Sequence, residues 1–130
     1  MAITHLNPAS MHVNPAFSQG TVIPAGASIV IVGGQNGVGP DGQVVGDTVG
    51  VQTEQALQNL ITVLAEAGAT PADVAKLNII LVEGVDVNEG FAASQKVWGN
   101  RPTAVTVQFV RALGRPDCLV EIDAIAAVPS

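Results

Sequence analysis

The spacing of apolar residues changes along the chain, and the first clear segment is extended. Residues 27–32 end in four consecutive β-branched residues and lie between Gly26 and Gly33. A run of this kind is typical of a strand that is covered on both faces, so the pattern predicts a central strand. Residues 36–46 contain four glycines and the turn Pro40-Asp41-Gly42, which predicts a surface loop or a loose hairpin.

A helical period follows this loop. Asp47 or Thr48 can cap the start of the helix, and Gly68 provides a natural left-handed stop. Between them, four aliphatic side chains recur at the spacing of one helical stripe: Leu57, Leu60, Ile61 and Leu64. Thr70-Pro71 then opens a short further turn of helix, and a strand is predicted for residues 76–82.

Asp86 and Glu89 have the spacing of a capping box, which predicts a second helix from about Val87 to Trp98. Arg101-Pro102 ends this helix. We expect one side of the helix to face the sheet, with both of its aromatic residues packed in the core. That side consists of Phe91, Ser94, Gln95 and Trp98.

Two more strands complete the pattern. Residues 103–111 alternate between apolar and polar side chains, and residues 118–128 return as the last strand, with Glu121 and Asp123 on one face. The order β, β, α, β, α, β, β predicts an α+β two-layer domain over residues 1–130, a mixed sheet with two helices on one face. The other face is then uncovered, and its apolar strands predict that copies of the chain associate.

Charge and composition exclude several classes of protein. Five Lys and Arg against eleven Asp and Glu give a net charge of −6, and the chain has one Trp, three Phe and no Tyr. It therefore lacks the clustered cations and stacking platforms of a general nucleic-acid binder. The single cysteine, Cys118, excludes an intrachain disulfide and a Cys-rich metal site, and we expect it to be an inert buried thiol. No stretch reaches the roughly 18 apolar residues of a membrane span, so we expect a soluble cytoplasmic protein.

Several segments together resemble the RidA/YjgF family. They match in order and spacing over nearly the whole chain, and they agree with the elements predicted above. The segments are residues 14–20, residues 33–35, the helix from Asp47 to Gly68, Arg101-Pro102 and residues 120–126. The resemblance implies a chorismate-mutase-like homotrimer, in which three sheets form a central barrel, the helices lie outside, and small-molecule clefts open between subunits.

The resemblance also implies an activity. Family members hydrolyse reactive enamines and imines, such as 2-aminoacrylate, to 2-keto acids and ammonia, and they need no cofactor or metal. Transferred to this chain, the glutamate that holds the attacking water falls on Glu121, and the aromatic residue of the cleft falls on Phe17, where Tyr is usual. Gly33, Gly34 and Thr106 would shape the same cleft.

One family residue is missing from the chain. The arginine that pairs with the substrate carboxylate corresponds to Ala104, or to Val105 if the alignment shifts by one position, and neither residue can pair with an anion. The chain therefore resembles an arginine-lacking subgroup, whose ligand is neutral or meets another cation. Arg101 and Arg111 are the candidates for that cation.

Three functions stay open on the sequence alone. The first is deamination with Glu121 directing water, and the second is a trimer that binds a small metabolite without chemistry. The third is the ribonuclease activity for which some family members are named, and the acidic charge disfavours it. The structural alternative for Glu121 and Asp123 is that both are solvated or paired with Lys76, Arg101 or Arg111.

Two further motifs have weaker functional readings. Residues 33–39 resemble a phosphate-binding loop, but no helix follows directly and the Lys-Ser/Thr ending is missing. His5 and His12 have no acid or nucleophile near them in sequence, so they do not suggest a metal site or a catalytic triad.

Overall fold

The computed structural model describes residues 3–129, and it contains two long helices and six strands within that range. The strands are β1 (Thr4–Leu6), β2 (Gly20–Val22), β3 (Ala27–Gln35), β4 (Val74–Val82), β5 (Ala104–Val110) and β6 (Val120–Pro129). The helices are α1 (Val49–Glu66) and α2 (Val87–Trp98), with a short 3₁₀ turn at Pro71–Asp73.

The main sheet has four strands in the order β3-β6-β4-β5. Strand β6 is antiparallel to both of its neighbours, and β4 is parallel to β5. A parallel pair needs a crossover connection, and α2 provides it. Strands β1 and β2 form a separate two-stranded sheet. The arrangement is the predicted α+β fold, with both helices on one face of a mixed sheet.

The core lies between α1 and the helix side of the sheet. Leu57, Leu60 and Leu64 are buried against alternate residues of β6, including Val120 and Ile122. The aliphatic stripe predicted for α1 is confirmed at these three positions, and Ile61 is partly buried beside them. The opposite face of the sheet has no helix packed on it within residues 3–129, as the pattern predicted.

The prediction that residues 27–32 form a central strand is wrong. Strand β3 is an edge strand of the sheet. Val32 is buried under α1, whereas Ile29 is 59% and Ile31 76% exposed on the uncovered face. The β-branched run therefore reflects one covered face and one open apolar face, and the sequence pattern does not distinguish this arrangement from cover on both sides.

The helix ends agree with the predicted signals, with one correction. Thr48 caps α1 and accepts a hydrogen bond from the Val51 amide. Asp86 caps α2, but its capping box is incomplete. The Glu89 carboxylate accepts a hydrogen bond from the Gly50 amide at the start of α1 instead of turning back to Asp86. Glu89 therefore joins the two helices, and sequence spacing could not foresee this tertiary contact.

The predicted inner side of α2 is only partly buried. Trp98 is in the core as expected, and Ala93 is buried with it. Phe91 is 53% exposed and Gln95 is exposed, so the prediction that Phe91 packs in the core is wrong. The reason is that α2 does not close fully over β5, and Phe91 borders the gap.

Candidate functional site

Two acidic side chains of β6 lie on the face of the sheet that the helices leave open. Their neighbours Val120, Ile122 and Ala124 are buried on the helix side, and Glu121 and Asp123 alternate with them. Asp123 accepts a hydrogen bond of 2.8 Å from Asn78. Within residues 3–129 neither acid forms an ion pair with a basic side chain, so no pairing with Lys76, Arg101 or Arg111 is present inside the described chain.

Glu121 lies against the backbone at the end of β3. A methyl group at Gly34 would lie 2.7 Å from both Cδ and Oε2 of Glu121, so the carboxylate occupies the space that a side chain at Gly34 would need. At Gly33 an added methyl group would meet nothing within 4 Å. The Asn36 amide donates to Glu121 Oε1 at 3.4 Å and to the Val120 carbonyl at 3.0 Å. We call Gly33, Gly34, Asn36 and Glu121 the acid group.

Polar side chains of α1 form hydrogen bonds to the backbone around the acid group. Asn59 donates to the carbonyls of Asn36 and Val38. Gln52 is fully buried; its amide donates to the carbonyls of Gly46 and Asp117, and its oxygen accepts from the Leu119 amide at 2.7 Å. These three residues, Asn36, Gln52 and Asn59, did not emerge from the sequence pattern. The available signal was two amide side chains on a helix that faces a glycine-rich loop.

A second set of candidate residues lies at the other edge of the sheet. Ser18 forms an isolated bridge with Ala104, and the Ser18 amide donates to the Thr103 carbonyl at 2.9 Å. His5 and Ser18 share a side-chain hydrogen bond of 2.9 Å, which places the N-terminal segment and Phe17 beside β5. We call Phe17, Ala104 and Thr106 the aromatic group.

The alternation of β5 separates the three adjacent residues predicted to bind ligand. Val105 lines a cavity on the helix side. Ala104 and Thr106 point the other way, because the Thr106 hydroxyl accepts a hydrogen bond from Lys76 on the open face. Ala104 and Val105 therefore cannot line the same wall of one site.

The acid group and the aromatic group are far apart within one chain. Glu121 pairs with Ile80 of β4, and Ile80 pairs with Gln108 of β5. Ala104 lies four residues before Gln108 along β5. With strands about 4.8 Å apart and a rise of about 3.3 Å per residue, the Cα atoms of Glu121 and Ala104 are separated by roughly 16 Å. Both groups cannot touch one small ligand within a single chain.

An apolar cavity of about 190 Å³ lies between α2, β5 and the segment that carries Phe17. Its apolar walls include Phe17, Leu77, Phe91, Trp98, Val105 and Val107. Its polar end is formed by Gln95, Asn100 and Arg101, at and just beyond the C-terminal turn of α2. Arg101 makes no hydrogen bond or ion pair with any part of the chain that the structure describes.

Other candidate chemistry is absent from the described residues. No cluster of three His, Cys, Asp or Glu side chains that could hold a metal ion exists between residues 3 and 129. Over the same range no helix is both long enough and apolar enough to cross a membrane. Cys118 is buried, and burial, with a smaller contribution from the Asp117 carboxylate, raises the pKa of its thiol. The thiol is therefore protonated near neutral pH and a poor nucleophile.

Comparison with known proteins identifies the class that this fold and site define. The family model described as Endoribonuclease L-PSP matches residues 8–128. A RutC family protein of Pyrococcus abyssi is 31% identical over 105 residues, which cover 76% of this chain and 78% of that protein. The chain belongs to the RidA/YjgF family.

Solved structures agree with this assignment. A conserved Rid family protein of Yersinia pestis, YyfB, described as of unknown function, has a TM-score of 0.86 and 31% identity, with 98% of this chain and 100% of that chain covered. The YjgF protein of E. coli has a TM-score of 0.70 and 27% identity, with 85% and 87% covered.

Proposed function

We propose that this chain is a RidA-like hydrolytic deaminase of small enamines or imines, that its residues 1–130 act as one domain, and that its active clefts form between subunits of a homotrimer. The observation that carries the proposal is the placement of the acid group and the aromatic group at opposite edges of one sheet. When identical subunits join head to tail, one edge of a subunit faces the other edge of its neighbour. Glu121 of one copy then meets Phe17, Ala104 and Thr106 of the next.

The uncovered sheet face supports association. Ile29 and Ile31 are large apolar side chains that are more than half exposed on the open face of β3. At the other edge of the sheet, Val107 and Phe109 of β5 are half exposed on the helix side. Apolar surface of this kind on both edge strands favours burial against further copies of the chain.

The chemistry needs one positioned carboxylate and one water molecule. The Glu121 carboxylate accepts a proton from the water as its oxygen bonds to the imine carbon. The resulting carbinolamine loses ammonia after a proton passes to its nitrogen, which leaves a carbonyl compound. An enamine first takes a proton at carbon to become the imine. The sum is one imine and one water converted to one carbonyl compound and one ammonia, and no electron acceptor is involved.

Ala104 separates this chain from family members that act on 2-aminoacrylate. Without a guanidinium at this position the cleft lacks a bidentate partner for a carboxylate next to the reacting carbon. This substitution favours a second candidate function, a trimer that binds a small metabolite without turning it over. A ribonuclease function has little physical support because the net charge is −6.

The deciding experiment measures ammonia and keto acid released from imines that an amino-acid oxidase generates in the same reaction. We expect Glu121→Gln to lower the rate by about 100-fold or more, because the amide cannot take the proton from water. Asp123→Asn is the matched control, since Asp123 lies on the same face but is already bound to Asn78. Equal rates in both variants would contradict the role of Glu121, and saturable ligand binding without turnover would support the second function.

The assembly is tested separately. Light scattering in dilute solution should give three times the 13.2 kDa mass of the chain. A monomer at assay concentration would contradict a site built from two subunits, whatever the outcome of the rate measurements.

A further inference from the structure

The cavity under α2 is an apolar feature that the proposed water chemistry does not use. Its walls are almost entirely carbon, and it opens at the end where α2 stops. Gly99 ends the helix with φ of 74°, a conformation that favours glycine. The turn brings Asn100 and Arg101 to the mouth of the cavity.

The size of the cavity sets the size of its occupant. A cavity of about 150 Å³ is known to hold benzene, and this one measures about 190 Å³. It therefore fits a phenyl ring or a branched aliphatic group of about five or six carbons. The three-carbon skeleton of 2-aminoacrylate would leave most of this space empty.

The charged residue at the mouth of the cavity determines which polar group of a ligand can bind there. Arg101 is the only charged residue among the described residues that line the cavity. Its guanidinium has no partner between residues 3 and 129. In a chain with a net charge of −6, an unpaired guanidinium beside an apolar hole is a local site for an anion with a hydrophobic tail.

We infer that the cavity recognises a bulky apolar monocarboxylate, with its phenyl or branched group among Trp98, Val105 and Val107 and its carboxylate on Arg101. The inference rests on the proposed function in one respect, because Phe17 belongs both to the aromatic group and to the cavity wall. The substrate of the deaminase would then be an imine or enamine with a large apolar substituent. Arg101 supplies a cation at the helix-side cavity, and not on the open face to which Ala104 points.

Trp98 is an intrinsic fluorescent probe for this cavity. Trp98 is the only tryptophan and there is no tyrosine, so the intrinsic fluorescence of the protein reports on the cavity wall alone. The experiment titrates the full chain with phenylacetate and follows Trp98 emission. Phenylacetamide has the same ring without the charge, and acetate has the charge without the ring.

Two variants test separately how the charge of Arg101 and the volume of the cavity contribute to phenylacetate binding. Arg101→Gln should weaken phenylacetate binding by about tenfold, the size expected for one partly solvated charged hydrogen-bonding partner. Its control is Arg111→Gln, which removes the same charge from an exposed arginine outside the cavity. Val107→Phe should fill the cavity and abolish binding, and Val22→Phe makes the same change at an exposed strand position elsewhere.

Saturable quenching or shift of Trp98 emission by phenylacetate, with much weaker effects of phenylacetamide and acetate, is the expected result. The inference is overturned if the three compounds behave alike, if phenylacetate causes no saturable change, or if Arg111→Gln matches Arg101→Gln. The arginine pair keeps the test valid even if Val107→Phe fails to fold. A protein that binds phenylacetate but turns over no imine would contradict the proposed function alone. If the turnover of imines is the same in Arg101→Gln and Val107→Phe as in the unchanged protein, that result would contradict this inference alone.

Discussion

The acid group and the aromatic group differ in how their surroundings hold them. Glu121 contacts Asn36, and Asn36 is held by Asn59 of α1. Ala104 is held by its pairing with Lys76 in the sheet. The Phe17 ring has no directional partner among the described residues and borders an apolar cavity. The carboxylate of the first region is therefore held by a directional hydrogen bond, whereas the aromatic ring of the second region contacts the carbon surfaces of a cavity.

This difference agrees with the two tasks that the proposed deaminase activity would divide between these residues. A carboxylate that directs water must be held in one geometry, because small displacements of a catalytic group lower the rate steeply. A surface that selects the apolar part of a substrate tolerates variation, because apolar contacts are not directional. We therefore expect the acid group to differ little among relatives of similar function and the aromatic group to vary with substrate.

The largest effect is expected at Gln52, which ties α1 to Gly46 and to the segment just before Glu121. Its side chain is fully buried and makes three hydrogen bonds to backbone groups. Gln52→Ala should lower the free energy of unfolding by about 3 kcal/mol, since it leaves buried donors and acceptors without partners. Urea denaturation measures the change.

Gln58 provides the control for this substitution because it is an exposed glutamine on the same helix. Gln58→Ala should change the free energy of unfolding by less than about 0.5 kcal/mol. Similar losses in the two variants would show that the amide network contributes little to the rigidity of the acid group.

A smaller effect is expected at the two adjacent glycines of β3, Gly33 and Gly34. Gly34→Ala should push the Glu121 carboxylate away, because the new methyl group would lie 2.7 Å from it. We expect turnover to fall by about tenfold, or about 1.4 kcal/mol in the activation free energy. The stability should change little, since the displaced group is the end of a flexible side chain.

Gly33→Ala is the comparison for that variant, because its methyl group would meet nothing within 4 Å. Rate measurements on both variants, together with thermal unfolding, separate displacement of the acid from general damage to the strand. A loss of turnover in Gly33→Ala as large as in Gly34→Ala would contradict the steric explanation.

The smallest effect is expected on the apolar side. Phe91→Ala should lower the free energy of unfolding by only about 1 kcal/mol, although a buried phenylalanine typically contributes 3 to 5 kcal/mol. The ring is half exposed and borders a cavity, so little packing is lost with it. Leu60→Ala, at a fully buried position of α1, should cost 2 to 5 kcal/mol in the same denaturation experiment. If Phe91→Ala approached that range, the region around the cavity would be a firmly packed part of the core.

The bounds of α2 could be predicted from sequence because the signals that set them are local. Asp86 caps its start, and Arg101-Pro102 follows its end. The position of β3 in the sheet could not be predicted in this way, because strand order depends on pairing with residues about 95 positions later in the chain. The local sequence pattern predicts that a strand or helix forms, whereas contacts with distant residues determine whether a strand lies in the centre or at the edge of the sheet.

The candidate site shows the same division. The face that Glu121 occupies follows from the alternation of β6, whereas the role proposed for it comes from the family resemblance. The burial of Gln52 was missed because a polar residue on a helix is usually counted as surface. The cavity was missed because the predicted inner side of α2 included Phe91, and only the folded structure shows that this ring is half exposed beside the cavity.

The position of β6 in the sheet has a consequence for the synthesis of the chain. It follows β3 and β4 in the chain and pairs with both of them, so neither strand has this partner until residues 120–129 have left the ribosome. During that interval the isoleucines of β3 are unpaired and exposed, which is the state most prone to aggregation. Folding should therefore begin from the local contacts of α1 and α2, and closure of the sheet should be a late and comparatively slow step.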